Sequence, residues 1–160
     1  HLDLRAESLD RFGGLDRLSE ADELPWTVLA DPEGGELCVF TYDTPPRHRL
    51  KDVVIDAVDH AAISRWWAEV LGGTLTHSDD GYSHLDDIAG STLESMDFVP
   101  VPEPKTVKNR IHWDVTLTPG STIEDLVAAG ASILRAEDDE ITWTVMADPE
   151  GNEFCVFGED

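Results

Sequence analysis

The sequence predicts an α+β protein assembled from copies of one βαβββ unit, and three observations predict it. Fifteen residues from Trp26 to Phe40, WTVLADPEGGELCVF, recur from Trp143 to Phe157 as WTVMADPEGNEFCVF, with twelve identities at an offset of 117 residues. Each copy follows a strand-like stretch that opens His-x-Asp, HLDL at His1 and HWDV at His112. Between the two copies lies a third stretch that reads strand, helix, strands again. A unit that recurs in this way is an unfinished sheet that buries its apolar face only by pairing with a neighbour.

The elements follow in chain order. Residues 1–43 open on the HLDL strand, and their helix region, ESLDRFGGLDRL, is interrupted by Gly13 and Gly14 and reads as a poor helix. The segment ends in a hairpin across DPEG, where proline presets the turn and glycine closes it. Residues 44–51, around TPPRHRL, read as a linker. KDVVIDAV is then a strand. DHAAISRWWAEVLGG is a helix capped by Asp59, striped by Ile63, Trp66, Trp67, Val70 and Leu71, and stopped by Gly72. Of the adjacent tryptophans only one is expected to face the core. Three candidate strands follow, then the proline-rich connector VPEPKTVKNR. RIHWDVTL alternates Ile111, Trp113 and Val115 against His112, Asp114 and Thr116, which is a strand with one apolar face. STIEDLVAAG is a helix, with Ser121 and Glu124 in capping-box spacing and Gly130 as its stop. Three strands in a meander end the chain.

Composition narrows the function. The chain has 160 residues, 34 acidic against 11 basic, for a net charge of −23. No basic face is available to neutralise phosphates, which argues against nucleic acid as a partner. No apolar run approaches the length of a membrane span. The acids are spread along the chain, which suits solubility better than attraction of a cationic ligand. Cys38 and Cys155 hold the same place in the two copies and read as reduced thiols of a cytoplasmic protein rather than as a disulfide.

The paired units, the DPEGN hairpin, the helix ending EVLGG and the connector VPEPKTVKNRIHWD resemble the glyoxalase/bleomycin-resistance/dioxygenase superfamily, the vicinal oxygen chelate proteins, and within it the glyoxalase-like domain group. The resemblance implies paired βαβββ modules that form a half-barrel cleft. Residues 52–158 would be a complete two-module domain, and residues 1–43 the second module of another. Such an orphan segment should pack against a further module of about 60 residues upstream, against its own copy in a homodimer, or against the complete domain beside it.

Metal-dependent members hold a divalent ion with four His and Glu ligands from cleft-facing strands. Carried over, one position falls on His112 and another on Cys155, where metal-binding relatives have glutamate. A third falls at Asp52 or Val53, and the last between Glu94 and Asp97. With one clear match in four, the expectation is a cleft without a bound metal or other cofactor, walled by His112, Asp114, Cys155, Trp143 and Phe98 and binding a small molecule. The alternatives are a metal-dependent lyase, isomerase or dioxygenase, and an interaction module without a ligand. Cysteine catalysis by Cys155 with His112 is disfavoured, because surrounding acids should raise the thiol pKa. His48, His60, His77 and His84 read as surface residues. Lys108 and Arg110 read as clamps between modules.

Overall fold

The computed structural model describes residues 1–158. Each unit builds the same small sheet. In the first, β1 (Leu2–Ala6) lies parallel to β4 (Glu36–Thr41), and β3 (Thr27–Ala30) and the two-residue β2 (Asp16–Arg17) complete a meander. In the middle unit β5 (Leu50–Ala57) lies parallel to β8 (Ser95–Pro100), with β7 (Ser83–Asp86) and β6 (Thr74–His77) beyond. In the third, β9 (Trp113–Thr116) lies parallel to β12 (Glu153–Phe157), with β11 (Thr144–Ala147) and β10 (Ser132–Arg135) beyond. The mixed α+β architecture expected from the repeats is therefore present, in sheets that do not close.

The way the units combine departs from the expectation of one cleft shared by the modules of residues 52–158. β1 pairs antiparallel with β5, so the first and middle units form one eight-stranded sheet of order β2-β3-β4-β1-β5-β8-β7-β6. The third unit forms a separate four-stranded sheet of order β10-β11-β12-β9. The short stretch after β4 has only to step past β1 to begin β5, a distance of about 10 Å at normal strand spacing. The Arg5 guanidinium pins that stretch, donating to the carbonyls of His48 and Leu50 at 3.3 and 3.1 Å. Of the three partners expected for the orphan segment, the structure shows the domain beside it.

Helix α1 (His60–Leu71) joins the two sheets. Its start is fixed by the Asp59 side chain, which accepts from Ala62 N at 2.9 Å. Its end is fixed by Gly72, whose φ of 72° suits glycine. Ile63, Trp66 and Trp67 are buried, together with Ile55, Leu85, Met96 and Phe98 of the large sheet and Met146, Phe154 and Val156 of the small one. Both tryptophans are therefore core. Trp67 is wholly buried, meets Phe154 and Trp113 edge to face at 5.1 Å each, and donates its indole N–H to Asp148 Oδ2 at 3.1 Å. The first unit has only a single 3-10 turn, Asp10–Phe12, in place of a helix, as its glycines foretell. In the third unit α2 (Ile123–Ala128) is capped one residue later than expected, by Thr122 and Asp125.

The two hairpins explain the repeated sentence. In each, the aspartate of DPEG closes its own turn: Asp148 Oδ1 accepts from the backbone of Glu150 and Asn152 at 2.9 Å each, and Asp31 Oδ1 from Glu33 and Gly35 at 2.8 Å each. Burial raises the pKa of Asp148, against its bonds from Asn152 and Trp67. Glu150 in turn accepts from the backbone of Val58 and Asp59 at 2.7 Å each, tying the third unit's hairpin to the start of α1. DPEG is structural in both copies.

Candidate functional site

The candidate site is the space between the β1–β5 junction of the large sheet and the connector that leads into the third unit. Strand alternation decides what faces it. Asp3 lies opposite Asp52 and beside Cys38, Asp52 lies beside Ser95, and Val54 lies beside Asp97. Residues two apart share a face, so Asp3, Cys38, Asp52, Ser95 and Asp97 share one, with His84 alongside Asp97 on β7. Val53, Ile55, Met96 and Phe98 point the other way, towards α1.

This polar face is crowded with charge. His1, Asp3 and Cys38 bring their donor atoms within 4.8 Å of one another. Hydrogen bonding to Asp3, then to Cys38, pushes the pKa of His1 up to about 10. Asp52 is fully buried; Lys51 binds one of its oxygens, and Ser95 N donates to the other at 3.0 Å. Burial alone would lower the Lys51 pKa, but Asp52 and Glu94 hold it above the ordinary value. The Lys51 ammonium also stands 4.9 Å from the Phe40 ring centre. Arg5 pairs with Glu94, and Ser95 bonds Asp97. Burial, with Asp52 nearby, pushes the Asp97 carboxyl up to about 6 in spite of Ser95 and Lys51.

Beside this face opens a cavity of about 570 Å³. Its sheet wall includes His1, Val54, Asp56 and Val58, and its other wall is the connector from Val101 to Ile111, closed by Trp113. The connector is held between the two DPEG hairpins. Asn109 Nδ2 donates to Asn152 Oδ1 at 2.9 Å, and Lys105 pairs with Glu153 at 2.9 Å. Arg110 pairs with Asp31 at 2.8 Å and lies 3.6 Å from Glu33. Arg110 is thus a clamp, as expected; Lys105 is the other, in place of Lys108, which makes no ion pair among the described residues. The hairpins differ where they touch the connector: a Cβ on Gly35 would stand 2.1 Å from Arg110 Nη1, whereas its counterpart Asn152 supplies a hydrogen bond. The Trp113 indole N–H and His84 Nδ1 are buried without a hydrogen-bond partner, and Asp3 Oδ1 faces the His1 ring Nε2 at 3.4 Å.

The structure separates the residues expected from sequence. His112, Asp114 and Cys155 do come together, with donor atoms within 4.8 Å, on the exposed face of the small sheet. Trp143 is beside them and stacks on Phe157 at 5.7 Å. Burial, then the Asp114 carboxylate, raises the Cys155 pKa. Phe98 does not join them: it is fully buried behind the large sheet against α1, because its strand alternates and Asp97 takes the polar side. His60 and His77 are also more than surface residues, since each ring Nδ1 lies within 2.8 Å of the buried Ser83 hydroxyl. Of the large-sheet cluster, Asp52 and Asp97 fall at carried-over ligand positions, while Lys51 and His84 were missed; the polar alternation of SMDFVP and the Lys-Asp pair opening β5 are the signals that mark it.

The expected ligand positions do not form one set: His112 and Cys155 lie on the small sheet, and it is their counterparts His1 and Cys38 that share the large sheet with Asp52 and Asp97. These four large-sheet residues fit a divalent ion poorly. His1 carries a proton up to about pH 10, and Asp52 is already neutralised by Lys51. A metal would have to displace both a proton and an ammonium.

The sequence pattern of the glyoxalase-like domain family matches residues 52–157. No curated protein matches the sequence of the chain. Among solved structures, glyoxalase I from Zea mays is similar at a TM-score of 0.68 with 14% identity, over 98% of this chain and 66% of that one. A glyoxalase/bleomycin resistance protein/dioxygenase family enzyme from Burkholderia phytofirmans PsJN is similar at a TM-score of 0.51 with 19% identity, over 68% of this chain and 96% of that one. The chain thus spans about two thirds of the length of the maize enzyme.

Proposed function

The chain belongs to the glyoxalase-like domain family, and on that premise we propose that it binds a small organic molecule in the cavity between the β1–β5 junction and the connector, without a tightly held metal ion. One observation carries the reading. The cavity of about 570 Å³ has the size of a small-molecule site and combines apolar walls, Val54, Val58 and Trp113, with hydrogen-bond donors of the connector, among them Lys108 and Asn109. Of the carboxylates on the adjoining face, the fully buried Asp52 already has the Lys51 ammonium as its cation, which an incoming ion would have to displace. A ligand that accepts a hydrogen bond and presents an apolar body matches these walls.

The test is fluorescence titration with 1-anilinonaphthalene-8-sulfonate, an apolar body with an acceptor group, in the presence and absence of EDTA. Val58 lines the cavity and is 53% exposed, so Val58→Trp fills the space without disturbing the core. Saturable binding that ignores EDTA and weakens at least about tenfold in Val58→Trp is expected, a difference of about 1.4 kcal/mol. Binding that needs a metal, or that Val58→Trp leaves unchanged, would refute the proposal.

A further inference from the structure

The first unit lacks the helix that covers its neighbour. The middle unit packs the twelve-residue α1 against its sheet, whereas the first, interrupted by Gly13 and Gly14, has only the turn Asp10–Phe12. Beside that turn, at the end of β1, lies a second cavity of about 220 Å³, which shares no residue with the cavity along the connector. Its apolar lining is Leu4, Ala6 and Phe12, and Phe12 packs on the small core of Ala6, Leu29 and Val39. Its charged lining inverts the composition of the chain. Acidic residues outnumber basic ones by 34 to 11 overall, yet here three arginines, Arg5, Arg11 and Arg49, stand against one carboxylate, Glu7.

The three guanidinium groups are not alike. Arg5 is buried and already engaged, by Glu94 and by the carbonyls of His48 and Leu50. The arginine ion pairs among the described residues are those of Arg5, Arg110 and Arg135, so Arg11 and Arg49, both exposed, keep their donors available. Asp10, next to Arg11 in the chain, instead accepts from the Ser8 hydroxyl at 3.1 Å. Arg11 and Arg49 come from separate segments, the turn after β1 and the stretch before β5. The Arg5 N–H, donating to the Arg49 carbonyl at 2.7 Å, holds that stretch against β1. We infer that this cavity is a second binding site, for a small phosphomonoester, whose phosphate lies between Arg11 and Arg49 and whose organic group lies on Leu4, Ala6 and Phe12. Guanidinium stays charged, and its planar fork matches the oxygens of a phosphate. Two available cations against Glu7 favour a doubly charged group over a carboxylate. The volume admits a phosphate with a single ring or a short chain, and a protein of net charge −23 repels a long polyanion such as nucleic acid.

The test is calorimetric titration with phenyl phosphate, inorganic phosphate and benzyl alcohol at about pH 7.5, where the monoester is a dianion. Phenyl phosphate should bind at one site with a dissociation constant below about 1 mM. Inorganic phosphate, which lacks the ring, should bind at least about threefold more weakly, and benzyl alcohol, which lacks the charge, not measurably. Arg11→Gln and Arg49→Gln should each weaken phenyl phosphate by at least about tenfold, and Glu7→Gln should strengthen it. Arg65→Gln removes an exposed guanidinium from α1, and Val58→Trp fills the larger cavity. Both should leave the affinity unchanged. Four results would overturn the inference. Phenyl phosphate may show no saturable binding. Arg65→Gln may weaken it as much as Arg11→Gln does, which would make the attraction diffuse. Val58→Trp may abolish it, which would place the ester in the larger cavity. Inorganic phosphate may bind as tightly as the ester, which would leave the apolar lining without a part in recognition.

Discussion

Replacing Asp97 by asparagine should stabilise the protein at neutral pH and flatten its pH dependence. The carboxyl has an ordinary pKa of 3.8 and is pushed up to about 6 in the fold, chiefly by burial and secondly by Asp52. The folded state thus holds this proton more tightly than the unfolded chain does. Its contribution to stability is complete below about pH 4 and is lost as the pH rises through about 6. The gap between 3.8 and about 6 corresponds to about 3 kcal/mol. Water at a partly exposed carboxylate screens some of it, leaving about 2 kcal/mol. Asparagine keeps an oxygen for the Ser95 hydroxyl and carries no charge. Urea unfolding followed by tryptophan fluorescence, from about pH 3.5 to about pH 8, measures the difference between the two proteins. The variant should equal the wild type at the acid end and exceed it by about 2 kcal/mol at the basic end. Parallel curves, or a variant that loses stability above pH 6, would refute the claim that Asp97 is a burdened carboxylate in this cluster.

Trp67→Ala should cost about 3–5 kcal/mol in the same assay, because it empties the contact between the two sheets and leaves Asp148 Oδ2 without its indole donor. The Cys155 thiol should alkylate with iodoacetamide more slowly than a free cysteine at pH 8, and Asp114→Asn should speed it up, since Asp114 is the second cause of its raised pKa after burial; mass spectrometry of the modified peptide measures both rates.

Much of the fold was legible because its signals are local. The repeat, the Asp59 cap, the Gly72 stop and the broken helix at Gly13 and Gly14 all act within a few residues, and each appears where the sequence places it. Which unit joins which was not legible. The first strands of the units present similar edges, so strand patterns alone do not say that β1 takes β5 while β9 ends its sheet among the described residues. That choice depends on the reach of the stretch between β4 and β5 and on Lys51 relieving Asp52, both of which are three-dimensional facts. The site was half legible for the same reason. His112, Asp114 and Cys155 were found through the copy in which the histidine and aspartate are exposed, while their counterparts His1, Asp3 and Cys38 stand beside the cavity and the partner strand. Phe98 was misplaced by reading a large aromatic as cleft wall, when its alternation with Asp97 assigns it to the core.

Metal affinity of the cluster around Lys51 tests the account most directly. Zinc is titrated by calorimetry into the protein after chelator treatment, and into the Lys51→Ala and Cys38→Ala variants. The account predicts no tight site in the wild-type protein, because Lys51 already neutralises Asp52 and because His1 must first lose its proton. It also predicts that removing the ammonium in Lys51→Ala strengthens zinc uptake. A wild-type protein that takes up one equivalent tightly, loses it in Cys38→Ala and is indifferent to Lys51→Ala would contradict the reading of this cleft as one that works without a metal.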